Sequence, residues 1–179
     1  MKPVIITQQW IKSFVLQLNF CPFAKLPFEE NRIHYLLEYR EEEEQIYTRL
    51  VEEMQYLLHD NSFETSLIIL PNALKSFQAY LDFLVVAEQL VNTLGFEGIF
   101  QIASFHPAYQ FAGTAPEDVE NYTNRSPYPM LHILREKSVT WAIHHHPDAT
   151  QIPQQNIARL EALGKEAIKK RWNELRAKN

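Results

Sequence analysis

Ser66-Leu67-Ile68-Ile69-Leu70-Pro71-Asn72 is a short apolar run stopped by a turn pair. A run this short, rich in β-branched residues and bounded by breakers, reads as a buried strand. Residues 76–94 follow as the most hydrophobic helix of the chain, closed by Gly95, and Gly98 then introduces a further strand over 99–104. Strand, helix and strand in this order decide the class, because the helix must lay its apolar stripe on the sheet that the strands form.

Working outward, residues 41–59 place Ile46, Leu50, Met54, Leu57 and Leu58 on one helical stripe, with the 41–44 glutamate run suited to the first turn. Residues 32–39 read as a strand before that helix. Residues 7–18 read as an opening amphipathic helix, with Thr7 available as its N-cap and its end before Cys21-Pro22. A fourth strand is expected over 130–134. The 138–146 segment fits a short helix better than a strand, and 151–177 reads as one last helix despite Gly164. The expected fold is α+β: one domain over residues 1–179, built as a small mixed four-stranded sheet with helices packed on it.

Composition narrows the function classes. The 179 residues are 46% hydrophobic and 22% charged, close to the globular average, and no linker-like stretch divides them. The single cysteine, Cys21, excludes an internal disulfide framework and a Cys-rich metal centre, which points to a reducing, cytoplasmic setting. The start shows no cleavable leader pattern, and no run approaches the roughly 18 to 20 apolar residues of a membrane span. A net charge of −5 argues against general nucleic-acid binding. The basic residues Lys165, Lys169, Lys170, Arg171, Arg176 and Lys178 suit a helix C-terminus. With glycines only at 95, 98, 113 and 164, the chain has neither a P-loop nor a dinucleotide fingerprint, and the Gly-x-Ser-x-Gly elbow is absent too.

The chemistry concentrates in the irregular polar stretch 105–135. Its 105–129 connection exceeds the roughly 12 to 15 residues usual for unstructured loops. Phe105, Tyr109, Phe111, Tyr122 and Tyr128 should pack it down, while Pro127 and Pro129 stiffen its end. Asn121, Asn124, Arg125 and Ser126 offer two amides, a forked guanidinium and a hydroxyl, a donor set suited to a carboxylate or phosphate. In the alternative, Arg125 pairs with Asp118 or another acid and the asparagines tie down turns.

The segments Phe20-Cys21-Pro22-Phe23-Ala24, Ala103-Ser104-Phe105-His106-Pro107-Ala108-Tyr109-Gln110-Phe111 and Asn121-Tyr122-Thr123-Asn124-Arg125-Ser126-Pro127-Tyr128-Pro129-Met130-Leu131-His132 resemble those of the bacterial domain-of-unknown-function family 1415. The resemblance runs essentially end to end. It implies membership of a family and no particular reaction, cofactor or catalytic residue.

The leading expectation is an enzyme acting on a small anionic substrate. Arg125 is its anion clamp and His106, at a strand end, its general acid or base. Asn121, Asn124, Ser126, Tyr109 and Tyr122 are the substrate-binding set. A non-catalytic metal- or cofactor-binding module would instead use His106, His132 and Cys21, with Asp118 or Glu136 as an added acid, although the spacing matches no zinc signature. Cys21, flanked by Phe20 and Phe23, reads first as a buried structural thiol. A structural interaction protein is the third reading; it requires an exposed apolar face between Ile157 and Leu175. The run His144-His145-His146 is a poor ligand cluster on a helix, where consecutive side chains diverge by about 100°.

Overall fold

The computed structural model describes residues 2–146 and 148–177. Four strands form one mixed sheet: β1 (Ile33–Leu37), β2 (Thr65–Ile69), β3 (Phe100–Phe105) and β4 (Met130–Arg135). Their spatial order is β1-β2-β4-β3, with β1 and β2 parallel and the pairs to β4 antiparallel. The parallel pair requires a crossover, which α3 (Glu43–His59) supplies after α1 (Lys2–Trp10) and α2 (Lys25–Glu29). The α+β expectation and the four-stranded mixed sheet are both present.

Alternation along the strands sorts the core into two layers. Ile68, Leu131, Ile133 and Phe100 face α3 and α4 (Phe77–Thr93), meeting Ile46, Leu50, Met54, Tyr80 and Phe83. Leu67, Ile69 and Met130 face the other way, onto Trp10, Phe14, Leu160, Ile168 and Trp172. All five residues of β2 are buried because helices cover both of its faces, which explains its unbroken apolar spelling. Ser76 caps α4 by accepting the Ala79 N–H, and Gly95, at φ +76°, ends it in the left-handed conformation. No described helix is long and apolar enough to cross a membrane.

Two boundaries differ most from expectation. The first helix begins at Lys2, not Thr7, and passes into a π-helical turn over Ile11–Leu16. Pro3 explains the early start, since a proline is tolerated in the first turn of a helix. Thr7 is therefore mid-helix and buried, with its hydroxyl directed at Met130 Sδ. The last helix is also two: α6 (Ile152–Leu163) and α7 (Lys165–Arg176) follow α5 (Glu136–His145) and meet at Gly164, whose φ of +83° and ψ of 144° no helix can continue.

Candidate functional site

The 105–135 stretch is packed down around Asn121, which is fully buried. Its Oδ1 accepts the Phe111 N–H and the Thr114 hydroxyl, both at 2.9 Å, and its Nδ2 donates to Ala115 O at 2.8 Å. Asp118 accepts the Ala115 N–H at 2.7 Å, so the same turn is held from both sides. A 3-10 turn over Val119–Thr123 then carries the chain back towards the end of β3. There His106 N donates to Asn124 O and Ser126 N donates to His106 O, while Asn124 Nδ2 donates to Ser104 O. His106 and the Asn121–Ser126 string thus lie side by side, joined through their backbones.

Arg125 is held without an acid. Its Nε donates to Tyr109 O at 3.2 Å, one Nη donates to Pro116 O, and the guanidinium lies 4.4 Å over the Tyr122 ring. Among the described residues no ion pair involves it. Asp118, the acid that the alternative reading paired with it, accepts the Ala115 N–H instead. The second Nη makes no hydrogen bond to a described residue and is not sealed from water. Tyr122 is itself buried, edge-on to Trp172, so it gives the guanidinium a fixed floor. Ser126 is fully buried and donates to Tyr128 O at 2.6 Å, and Tyr109 shares a hydroxyl contact with Ser104 at 3.3 Å.

His106 is 1% exposed, with its ring against Phe77 and Tyr80 of α4. The Ala108 N–H donates to Nδ1 at 3.0 Å, which places the ring proton on Nε2; that nitrogen donates to Leu74 O at 3.0 Å. Leu74 has φ +51°, a left-handed conformation uncommon for leucine. Burial holds the His106 pKa below the usual histidine range. With both nitrogens engaged, the imidazole has no lone pair to offer a substrate, and its place in the molecule is that of a loop clamp.

The expected convergence of His106 with His132 and Cys21 does not occur. His106 lies on the α4 side of the sheet. His132, on β4, lies on the opposite face, where its ring neighbours Phe105 and its Nε2 donates to the Thr65 hydroxyl at 2.7 Å. Thr65 in turn donates to Ile133 O. Desolvation pushes the His132 pKa down to about 4. Cys21 is half-buried against the second core layer, and burial raises its thiol pKa despite two backbone N–H donors. Among the described residues no group of three or more metal-ligating side chains comes together.

The other sequence candidates resolve locally. His144 and His145 end α5, with His145 stacked on Trp141. Ile168, Trp172 and Leu175 of α7 are buried, which removes the exposed stripe the interaction-protein reading required; Lys178 lies outside the described residues.

The pattern of the uncharacterised family matches residues 4–170 of the chain, three of whose motifs form the Cys21 turn, the end of β3 and the Arg125 string. The chain belongs to DUF1415, described as a protein of unknown function. No curated protein and no solved structure matches it. DUF1415 membership therefore assigns no chemistry, and the geometry has to supply it.

One polar pair of this DUF1415 chain escaped the sequence reading. His34 of β1 meets Glu53 of α3, Nδ1 to Oε1 at 2.6 Å, at the opposite edge of the sheet from β3, which His106 follows. The available signal was Glu53 itself, a carboxylate on the inner stripe of α3 between Leu50 and Leu57, where a charge requires a partner.

Proposed function

We propose that this protein binds a small anionic ligand, a carboxylate or phosphate compound, at the open edge of Arg125. The supporting observation is a guanidinium that has no acidic partner yet is held by two backbone carbonyls and an aromatic floor. Side-chain ordering is a large part of the cost of ligand capture, and here it is met before the ligand arrives. Tyr109 and Tyr122 aim the guanidinium. Asn121, Asn124, Ser126 and His106 fix the loop that carries it. His106 acts by positioning in this reading, since neither ring nitrogen is left for proton transfer.

The test is thermal unfolding in phosphate, and separately in succinate, against chloride at equal ionic strength, for the native protein and Arg125→Gln. A ligand at a hundred times its Kd adds about 2.7 kcal/mol. For a domain near this size that raises Tm by about 5 to 10 °C. The native protein should show such a shift and Arg125→Gln should not, with the unliganded Tm of the two within a few degrees. A variant that keeps the shift removes Arg125 from the site, and one that collapses without ligand makes Arg125 a structural residue.

A further inference from the structure

His34 stands on edge strand β1 under α3, and Glu53 reaches it from that helix. The Glu53 side chain is 5% exposed and that of His34 28%. A carboxylate this deep needs a proton donor, so the His34 ring carries its proton on Nδ1 and donates it to Glu53. Nε2 has no hydrogen-bond partner among the described residues and is not sealed from water. The ring is held on its other sides. Phe63 stacks at 4.7 Å, Tyr56 lies at 5.2 Å, and those two rings are 6.3 Å apart, so the three form a triangle. Ser66 Oγ donates to the His34 carbonyl across the strand pair.

The result is one immobilised imidazole with a carboxylate behind it and one nitrogen facing out. No other histidine among the described residues pairs with a carboxylate. A carboxylate on Nδ1 fixes the tautomer and makes the far nitrogen a better electron-pair donor. Tyr56 also lines a shallow depression of about 710 Å³ together with Glu52, Leu58, His59, Asp60 and Phe96. The Glu53 carboxylate behind the ring disfavours an anionic substrate, while the Phe63 and Tyr56 rings beside it suit an uncharged body.

We propose that His34 Nε2 is a nucleophilic centre that accepts an acyl group from an uncharged ester, with Glu53 as its positioning residue. The Nε2 lone pair forms the N–C bond, the C–O bond to the leaving group breaks with its electron pair, and the Nδ1 proton moves to Glu53. The leaving alkoxide takes a proton from water, the hydroxide so formed adds to the acyl carbon, the N–C bond breaks with its electron pair returning to Nε2, and Glu53 returns the proton to Nδ1. The net change is ester plus water to acid plus alcohol.

Diethyl pyrocarbonate, an uncharged acyl donor, tests the assignment on the full chain at neutral pH, with labelled histidines mapped by peptide mass spectrometry over time. His34 should label before the exposed His59, His144 and His145, and Glu53→Gln, which keeps the shape and an acceptor, should slow it about tenfold. 4-Nitrophenyl acetate hydrolysis should fall in His34→Gln and stay unchanged in His144→Gln, an exposed histidine of α5. Buried His106 reports folding in the same digest, so slower His34 labelling counts only while His106 stays protected. Should Glu53→Gln unfold, the order of labelling in the native protein decides alone. Labelling of His34 no faster than of the exposed histidines, or indifference to Glu53→Gln in a folded variant, overturns the proposal.

Discussion

The Tyr80 hydroxyl donates to Met130 O at 2.7 Å, and the Tyr80 hydroxyl oxygen itself accepts the Phe105 N–H at 3.0 Å. One fully buried phenol of α4 thereby ties the last residue of β3 to the first residue of β4, at the root of the 106–129 loop. Tyr80→Phe keeps the ring and leaves a buried N–H and a buried C=O short of a partner. The expected loss is about 1 to 3 kcal/mol, read from the urea midpoint with an unchanged m-value.

Asn121 is the corresponding knot within the loop. Asn121→Asp turns the Nδ2 donor to Ala115 O into a second acceptor and buries a charge, so it should cost more than Asn121→Ala, itself about 2 to 4 kcal/mol for three lost bonds. Amide hydrogen exchange should speed up at Phe111 and Ala115 in both variants while β2 stays protected. Equal exchange in the variants and the native chain would place the loop's support elsewhere.

Acid sensitivity follows from two histidines. His132 in the folded protein titrates near 4 and His106 is shifted in the same direction, both by burial, while the unfolded chain takes up protons near 6.5. The unfolded state therefore binds more protons between those values. Stability is fully present above about 6.5 and falls as pH drops towards 4. Because His132 is only partly buried as a residue, the expected loss sits at the low end of about 1 to 3 kcal/mol. His132→Asn should flatten the decline in a chemical-denaturation series from pH 7 to 4.5.

Gly164→Ala probes the joint between α6 and α7. A Cβ there meets no atom within 4 Å, so the whole cost is backbone strain at φ +83°, about 1 to 3 kcal/mol. A lower Tm with unchanged helix content by circular dichroism is the expected result.

Much of the frame was legible because it depends on local pattern. The Ile46, Leu50, Met54 and Leu57 stripe, the 66–70 run and the Gly95 stop each announce their element in a few neighbouring residues and lie where expected, whereas Leu58, also assigned to that stripe, is exposed. Residue 7 misled because a good cap competes with Pro3, and the proline came first. Residues 151–177 misled because periodicity survives Gly164 while the backbone does not. The 105–135 stretch could be located but not decoded. Arg125 bonds to the carbonyls of Tyr109 and Pro116, and His106 to that of Leu74; a carbonyl has no letter in the sequence. The two-faced sheet separated His106 from His132, which chain order alone had left free to meet.

The seam between the first and last helices carries a consequence for biosynthesis. Phe14 meets Trp172 edge-on and Arg171 donates to the Ser13 carbonyl, so the layer beneath β2 is closed by residues nearly 160 positions apart. As the chain leaves the ribosome, α3, α4 and all four strands emerge with one side of the sheet already covered, while Trp10, Phe14, Leu67 and Ile69 still await α7. A chain ending before Gly164 lacks Ile168, Trp172 and Leu175 and leaves that apolar half uncovered, the kind of surface that makes a partly folded chain prone to aggregate.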